Sequence, residues 1–428
     1  MRLGTAQISR CWKAVSMTRL VAVWAPCGQR RGRYRGSVGE RRSVLVNFVY
    51  CHPVGHAIEA LHYCHGYHRA DPGLRIGLAL NADTPTELAA LCPYIDDIYP
   101  MSVDVFDRAC DSASALDAVP PSWDWVVSDA RGQQPHQRAA LPGLARYYDQ
   151  ARDRFAASGS KLATAGAAPP AYSPGCQFRL PFPVAARSKA ERLMRDARPG
   201  VRGNSAPRIA FLPAGSGPRS TYPSVRSWRL VLAALADRWP GALFCLVGKH
   251  RRDGRTTTSF GAAELGELRG MLPSACHAVD LPLTDQLAIV AGCDVLISPH
   301  SGFGMAALAV GTPWLSIAGN RWPEYYFNGV PFYSVLPDLK RFPAYNAFEP
   351  DPLPMDDDGP RAPSMCYERI RNDLAEIVEG AARLIERRWP FETAMSDHFA
   401  RIWALREGRA DRIWSIDSVH KPYLPAEA

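Results

Sequence analysis

Apolar residues come in short unbroken runs, and amphipathic stretches with helical spacing lie between them. VLVNFVY (44–50) reads as a buried strand, CHPVGH as a turn, AIEALHYCHGYHRA as a helix and LRIGLAL (74–80) as a second strand. TPTELAALCPYIDDIYPM then predicts a short helix and a strand near Asp97 to Tyr99. WDWVVSD holds a further strand from Trp123 to Ser128, and Leu144 to Ala157 is helical. Residues 158–183, rich in Gly, Pro, Ala and Ser, read as loops, 187–198 as a basic helix, and 199–207 as the linker between two units.

The second unit repeats the alternation. RIAFLPAGSG (208–217) is a strand running into a glycine-bearing loop. SVRSWRLVLAALADRW carries Trp228, Val231, Leu232 and Leu235 on one helical face, and GALFCLVG (241–248) is a strand. LTDQLAIVAGC is a helix that leads into CDVLISPHSGFGMAALAVGTPWLSIAG (293–319). There an apolar run ends at Pro299, the turn His300-Ser301-Gly302 follows, and a small-residue helix runs to about Val310. Gly311-Thr312-Pro313 stops it before the next strand. A turn at the end of a strand and the start of a helix gathers unpaired N–H groups and the positive end of the helix dipole, which suits a phosphate. An ordinary βαβ unit without a ligand reads the same way. Residues 343–363 are proline-rich, and 366–388 and 391–406 are helical, placed to pack back on the first unit. Two consecutive α/β units predict two facing Rossmann-like domains with a cleft between them.

The length of 428 residues fits two domains, and 21% charged with 47% hydrophobic residues describes a globular chain. The net charge of +8 is a misleading nucleic-acid clue. Ten basic residues stand against Glu40 in residues 1–42, which leaves the rest of the chain at −1. Residues 1–42 are expected to be a disordered extension ahead of the folded start, with a membrane-surface or RNA-binding arm as the alternative. A nucleic-acid partner is not expected, and membrane contact is at most peripheral, because no apolar run reaches the length of a span. Eleven scattered cysteines without a Cys-x-x-Cys pair suggest reduced thiols in the cytoplasm. His52, His56, His62, His65 and His68 crowd one segment, but no Cys or carboxylate completes a zinc spacing. Asp356-Asp357-Asp358 is read as solvated surface before it is read as a metal site.

The second unit resembles glycosyltransferase family 9, the bacterial ADP-heptose:lipopolysaccharide heptosyltransferases, which have the GT-B fold. Their donor-site segment looks like DTGLSHLAAALGTP, and HSGFGMAALAVGTP matches it without a gap: Gly302 and Gly311-Thr312-Pro313 coincide, Ser301 stands for Thr, and His300 replaces Asp. FLPAGSGPRSTYPSVRSW is similar to the family's first donor loop, with Tyr222-Pro223 in the Trp-Pro place and Arg219 as the nearest basic residue. In the first unit Gly55 falls on the family glycine that ends the opening strand, and His56 on the Asp proposed there as catalytic base. The resemblance covers about residues 44–335.

The resemblance implies a metal-independent, inverting glycosyltransferase without a cofactor, moving a sugar from a nucleotide-diphosphate sugar to a hydroxyl acceptor. Residues 43–198 would form the acceptor domain and 208–342 the nucleotide-sugar domain. Gly215, Ser216, Gly217, Arg219, His300, Ser301, Gly302 and Phe303 would hold the donor, with Glu324 accepting from its hydroxyls and Trp322, Tyr325 and Tyr326 able to stack. His56 would be the base, with His52 or Glu59 as substitutes beside it. The two Asp-to-His departures leave the acceptor open between a cell-envelope glycan and a specialised metabolite. A sugar-nucleotide epimerase, a pyruvyl transferase, or a non-catalytic sugar-nucleotide binder would use the same scaffold.

Overall fold

The computed structural model describes residues 41–50, 54–109, 112–198, 206–251, 257–272, 274–320, 326–345, 352–355, 357 and 359–405. Two wholly parallel sheets organise them. The first contains β1 (Ser43–Phe48), β2 (Arg75–Asn81), β3 (Asp97–Met101), β4 (Trp125–Ser128) and β5 (Lys161–Thr164), in the order β3-β2-β1-β4-β5. The second contains β6 (Arg208–Phe211), β7 (Leu243–Leu246), β8 (Ala275–His277), β9 (Val295–Pro299), β10 (Trp314–Ile317) and β11 (Phe332–Val335), in the order β11-β10-β9-β6-β7-β8. Each sheet starts in its middle and reverses direction once. The reversal lies between β1 and β4 in the first sheet and between β6 and β9 in the second. In such sheets the crevice for a ligand opens at the carboxyl ends of those strands.

Helices cover both sheets: α1 (Val54–Ala70), α2 (Ser112–Leu116), α3 (Pro135–Ala140), α4 (Pro142–Ala157), α5 (Val184–Asp196), α6 (Val225–Arg238), α7 (Ala262–Gly270), α8 (Leu283–Ala291), α9 (Gly302–Ala309), α10 (Tyr367–Asn372), α11 (Leu374–Ile385) and α12 (Phe391–Leu405). The central strands are buried over nearly their whole length, as apolar runs covered on both faces must be. The result is two Rossmann-like α/β lobes facing each other across an interlobe cleft, the arrangement of the GT-B fold.

Three features depart from the reading of the sequence. Residues 158–183 are not all loop: KLAT is the edge strand β5, paired with β4, and its exposed polar positions hide it from a search for apolar runs. Within the same stretch, Phe178 and Leu180 bond to the second lobe. The Phe178 N–H donates to Asn328 Oδ1 at 2.8 Å and the Leu180 N–H to the Ala309 carbonyl at 3.0 Å. Of the basic extension, residues 1–40 lie outside the described residues, but its last two arginines are fixed on the first lobe. Arg41 donates to the Gly73 and Leu74 carbonyls, each at 2.8 Å, and Arg42 pairs with Asp71 at 2.6 Å.

Helix α5 lies against α8, with Lys189 paired to Asp285 at 2.6 Å. Helix α11 packs on α6 and on β9, β10 and β11, and α12 packs on β11. The fully buried Arg369 of α10 donates to the Val335 carbonyl at 2.7 Å and pairs with Asp373 at 2.8 Å. Most of the proposed linker, 199–205, lies outside the described residues.

Candidate active site

The turn after β9 has the form its sequence predicts. Ser301 is the N-cap of α9 in an extended conformation, and its hydroxyl accepts from the Gly304 N–H at 3.4 Å. Among the described residues, no group accepts from the N–H of Gly302 or Phe303, so two helix-opening donors remain for a ligand. His300 is half-buried and its ring stacks on Trp314, 5.6 Å between centroids. Trp314 is held in turn by its indole N–H on Ser298 Oγ at 2.9 Å. Ala306, Ala307 and Ala309 are fully buried, and this small face lets the helix lie close on the sheet.

The glycine loop after β6 has a different occupation. The Gly217 N–H donates to the Tyr222 hydroxyl at 2.8 Å, and a Cβ on either Gly215 or Gly217 would fall 2.8 Å from that oxygen. A side chain at either glycine would press the buried Tyr222 hydroxyl. Ser216 is exposed. Arg219 turns to Glu264 at the start of α7, while its carbonyl accepts from Arg361. The structure therefore groups His300, Ser301, Gly302 and Phe303 at one turn and commits the Arg219 guanidinium elsewhere.

On the first lobe, α1 starts where the first sheet reverses. His56 and Glu59, three apart, share one helical face, and His56 Nδ1 lies 3.1 Å from Glu59 Oε2. The loop after β4 brings Arg131 between them and Asp129. Its Nε donates to both Asp129 oxygens at 3.0 and 2.9 Å, its Nη2 to Glu59 Oε2 at 2.8 Å, and its Nη1 stands 3.1 Å from His56 Nδ1. The guanidinium also lies over the Tyr50 ring at 4.6 Å, and Tyr50 meets the His56 ring edge-on at 4.4 Å. Burial works against the Arg131 charge, and Asp129 and Glu59 overcome it, so Arg131 stays cationic. Burial, then the Arg131 charge, holds the His56 imidazole below the ordinary histidine value, while Glu59 and Asp129 pull the other way. The His56 side chain is 20% exposed and that of Glu59 5%.

Both turns meet at one place. Gly55 of α1 lies against Gly302 and Met305 of α9, so the N-termini of two helices from different lobes touch. Further along α1, His62 bonds through Nδ1 to the buried Tyr326 hydroxyl, and its Nε2 lies 3.5 Å from Cys176 Sγ. His65 packs on Tyr94 and Phe178, and His68 stacks on Tyr94. His62, His65 and His68 are thus packing residues. Among the described residues no three His, Cys, Asp or Glu side chains are grouped to hold a metal ion. Asp357 accepts from the Tyr367 N–H at 2.7 Å. His52, Trp322, Glu324, Tyr325, Asp356 and Asp358 lie outside the described residues.

Asp129, Arg131 and Tyr50 escaped the sequence reading. The available signal was Asp129 and Arg131 directly after an apolar run, at the strand beside which the sheet reverses. His398 of α12 was also missed. It is 3% exposed beside Phe327, Phe332 and Phe399, and burial, with the neighbouring His300 and Arg401, pushes it down to about 3.

No family model and no curated protein matches this chain. Solved structures do. A glycosyl transferase family 9 protein from Veillonella parvula is similar over 82% of this chain and 100% of its own, at 12% identity and a TM-score of 0.48. An ADP-heptose lps heptosyltransferase II from E. coli is similar over 81% and 99%, at 13% identity and 0.49. A UDP-GlcNAc 2-epimerase from Neisseria meningitidis is similar over 64% and 82%, at 11% identity and 0.34. Among the described residues no helix is long and apolar enough to cross a membrane.

Proposed function

We propose that this chain is a glycosyltransferase that moves a sugar from a nucleotide-diphosphate sugar to a hydroxyl acceptor with inversion and without a metal ion. One observation carries the reading: the reversal points of both sheets converge on the Gly55–Gly302 contact. A half-buried imidazole paired with a buried carboxylate stands on one side of it and open helix-starting amides on the other.

The donor's pyrophosphate would sit on the N–H groups of Gly302 and Phe303, with the Ser301 hydroxyl and His300 beside it. These groups oppose the negative charge that grows on the leaving diphosphate. The acceptor hydroxyl oxygen attacks the anomeric carbon, and its proton passes to His56 Nε2. The bond from that carbon to the diphosphate oxygen breaks, and the nucleoside diphosphate leaves. Glu59 faces the Nδ1–H of the imidazolium formed, as a carboxylate orients a histidine base in other enzymes. One displacement inverts the anomeric centre.

The test is turnover by the purified chain with a panel of nucleotide sugars and hydroxyl acceptors. Acceptor-dependent release of nucleoside diphosphate is expected, unchanged by a chelator, with inverted product by NMR. His56→Ala should lower kcat by about 10²–10⁴-fold. A donor sugar epimerised without acceptor would replace the transferase with an epimerase. Donor binding with no turnover on any acceptor would leave a binding protein. Full activity in His56→Ala would remove His56 as the base.

A further inference from the structure

The first-lobe cluster contains more than a base needs. One guanidinium touches Asp129 through Nε, Glu59 through Nη2 and the His56 imidazole through Nη1. It crosses from the end of β4 to the first turns of α1, and its side chain is 8% exposed. We propose that Arg131 is a positioning residue for His56: anchored on Asp129, it fixes the Glu59 carboxylate against the imidazole Nδ1 and, by its charge beside that same nitrogen, sets how readily the ring takes a proton. The inference rests on His56 being the base proposed above.

The geometry makes the two partners of Nδ1 opponents. Glu59 Oε2 at 3.1 Å accepts from a protonated Nδ1, and Arg131 Nη1 at 3.1 Å donates to a bare one. The ring that can abstract a proton is the neutral one with Nδ1–H on Glu59 and the lone pair on Nε2. Without Arg131, the Glu59 carboxylate would lose its bond to Nη2, and two carboxylates would draw a proton onto the ring. Without Glu59, the guanidinium would hold Nδ1 as an acceptor and leave the proton on Nε2, where it blocks abstraction. Among the described residues, the charged and titratable groups around the ring are Glu59 from α1, Arg131 and Asp129 from the loop after β4, and Tyr50 from the end of β1. The contact with α9 at Gly302 and Met305 adds none.

The experiment is an NMR titration of the histidines in the full chain, with the His56 signal identified by its loss in His56→Asn. The same variants are assayed for the pH dependence of kcat/KM. Arg131→Met should raise the His56 midpoint by about 1 pH unit, and Glu59→Gln should lower it. The acidic limb of the rate profile should move in the same two directions. Arg131→Lys keeps the charge and loses the fork, so the midpoint should stay low while kcat falls at least about 10-fold. A merely structural arginine would lower activity without moving either midpoint. A midpoint that stays fixed in folded Glu59→Gln, or kcat retained in folded Arg131→Lys, would overturn the proposal, and these two variants serve even if Arg131→Met does not fold. Midpoints that move as expected while His56→Ala keeps full turnover would overturn the base assignment instead.

Discussion

A Cβ built on Gly55 would fall 3.0 Å from the Cα of Gly302 and 2.5 Å from Met305 Sδ. Two helices from different lobes therefore touch backbone to backbone, at the ends where their N–H groups point. A side chain at this position has to move α1, and His56 with it, away from the turn at Ser301. Gly55→Ala presses the Gly302 backbone and needs Met305 to shift. Gly55→Val is expected to cost about 1–3 kcal/mol and to lower turnover further than Gly55→Ala. Denaturant titration and steady-state kinetics check both. Unchanged kinetics in a folded Gly55→Val protein would show that the helix contact does not position the reacting groups.

The donor turn depends on a second glycine. A Cβ on Gly304 would fall 2.1 Å from the Trp314 indole, a fully buried ring that hydrogen-bonds Ser298 and stacks under His300. Gly304→Ala is expected to destabilise by about 1–3 kcal/mol, because the indole has no free space to yield. It should also weaken binding of nucleoside diphosphate, since the displaced indole carries His300. Gly266 on α7 is the control. A Cβ there meets nothing within 4 Å, and Gly266→Ala should stabilise by up to about 1 kcal/mol with binding unchanged. Calorimetric titration and thermal melts of the pair separate local clash from general helix effects.

Asn328 ties the segment before α5 to the second lobe. It is fully buried, accepts from the Phe178 N–H at 2.8 Å, and donates to the Phe178 and Leu308 carbonyls at 2.6 and 3.2 Å. Asn328→Ala leaves the buried Phe178 N–H without this partner, at about 1–3 kcal/mol, while the Phe178 carbonyl keeps Arg179 Nη1 and the Leu308 carbonyl keeps the Gly311 N–H. Trypsin should then cut faster at Arg179, whose guanidinium also donates to the Asn328 carbonyl. An unchanged cleavage rate would mean that the Leu180–Ala309 bond and the packing of Phe178 suffice to hold the segment.

The alternation of strand and helix was legible because parallel strands covered on both faces must be apolar along their length. VLVNFVY, LRIGLAL and VLISP could be little else. The turn at His300 was legible for the same reason, since strand, turn and helix are contiguous there. β5 was not, because an edge strand open to solvent carries no apolar run, and β8 is only three residues long. The Arg131 clamp was illegible because it is non-local: 72 residues separate it from Glu59, and only the strand order brings the end of β4 beside α1. The contact of the Gly215–Gly217 loop with Tyr222 was not legible either, because its glycines, seven and five positions before that hydroxyl, fit close packing and phosphate binding equally well in the sequence.

Buried histidines should make the fold acid-labile in a defined window. Burial, then nearby positive charge, pushes His398 down to about 3 and His65 down to about 4, and His56 is lowered as well. Each takes a proton near its ordinary value of about 6.5 once the chain unfolds. The unfolded state thus binds more protons between that value and the folded one. Stability from these residues is fully present above about pH 6.5 and is lost as the pH falls towards 4 and then 3, with a slope of up to about 1.4 kcal/mol per pH unit for each histidine. Urea unfolding at several pH values between 7.5 and 4.5 measures that slope directly. His398→Leu, which places an apolar side chain among Phe327, Phe332 and Phe399, should remove about one proton's worth of it. A slope equal in wild type and His398→Leu would mean that the α12 histidine is already protonated in the folded chain, with the Phe-lined wall open to water.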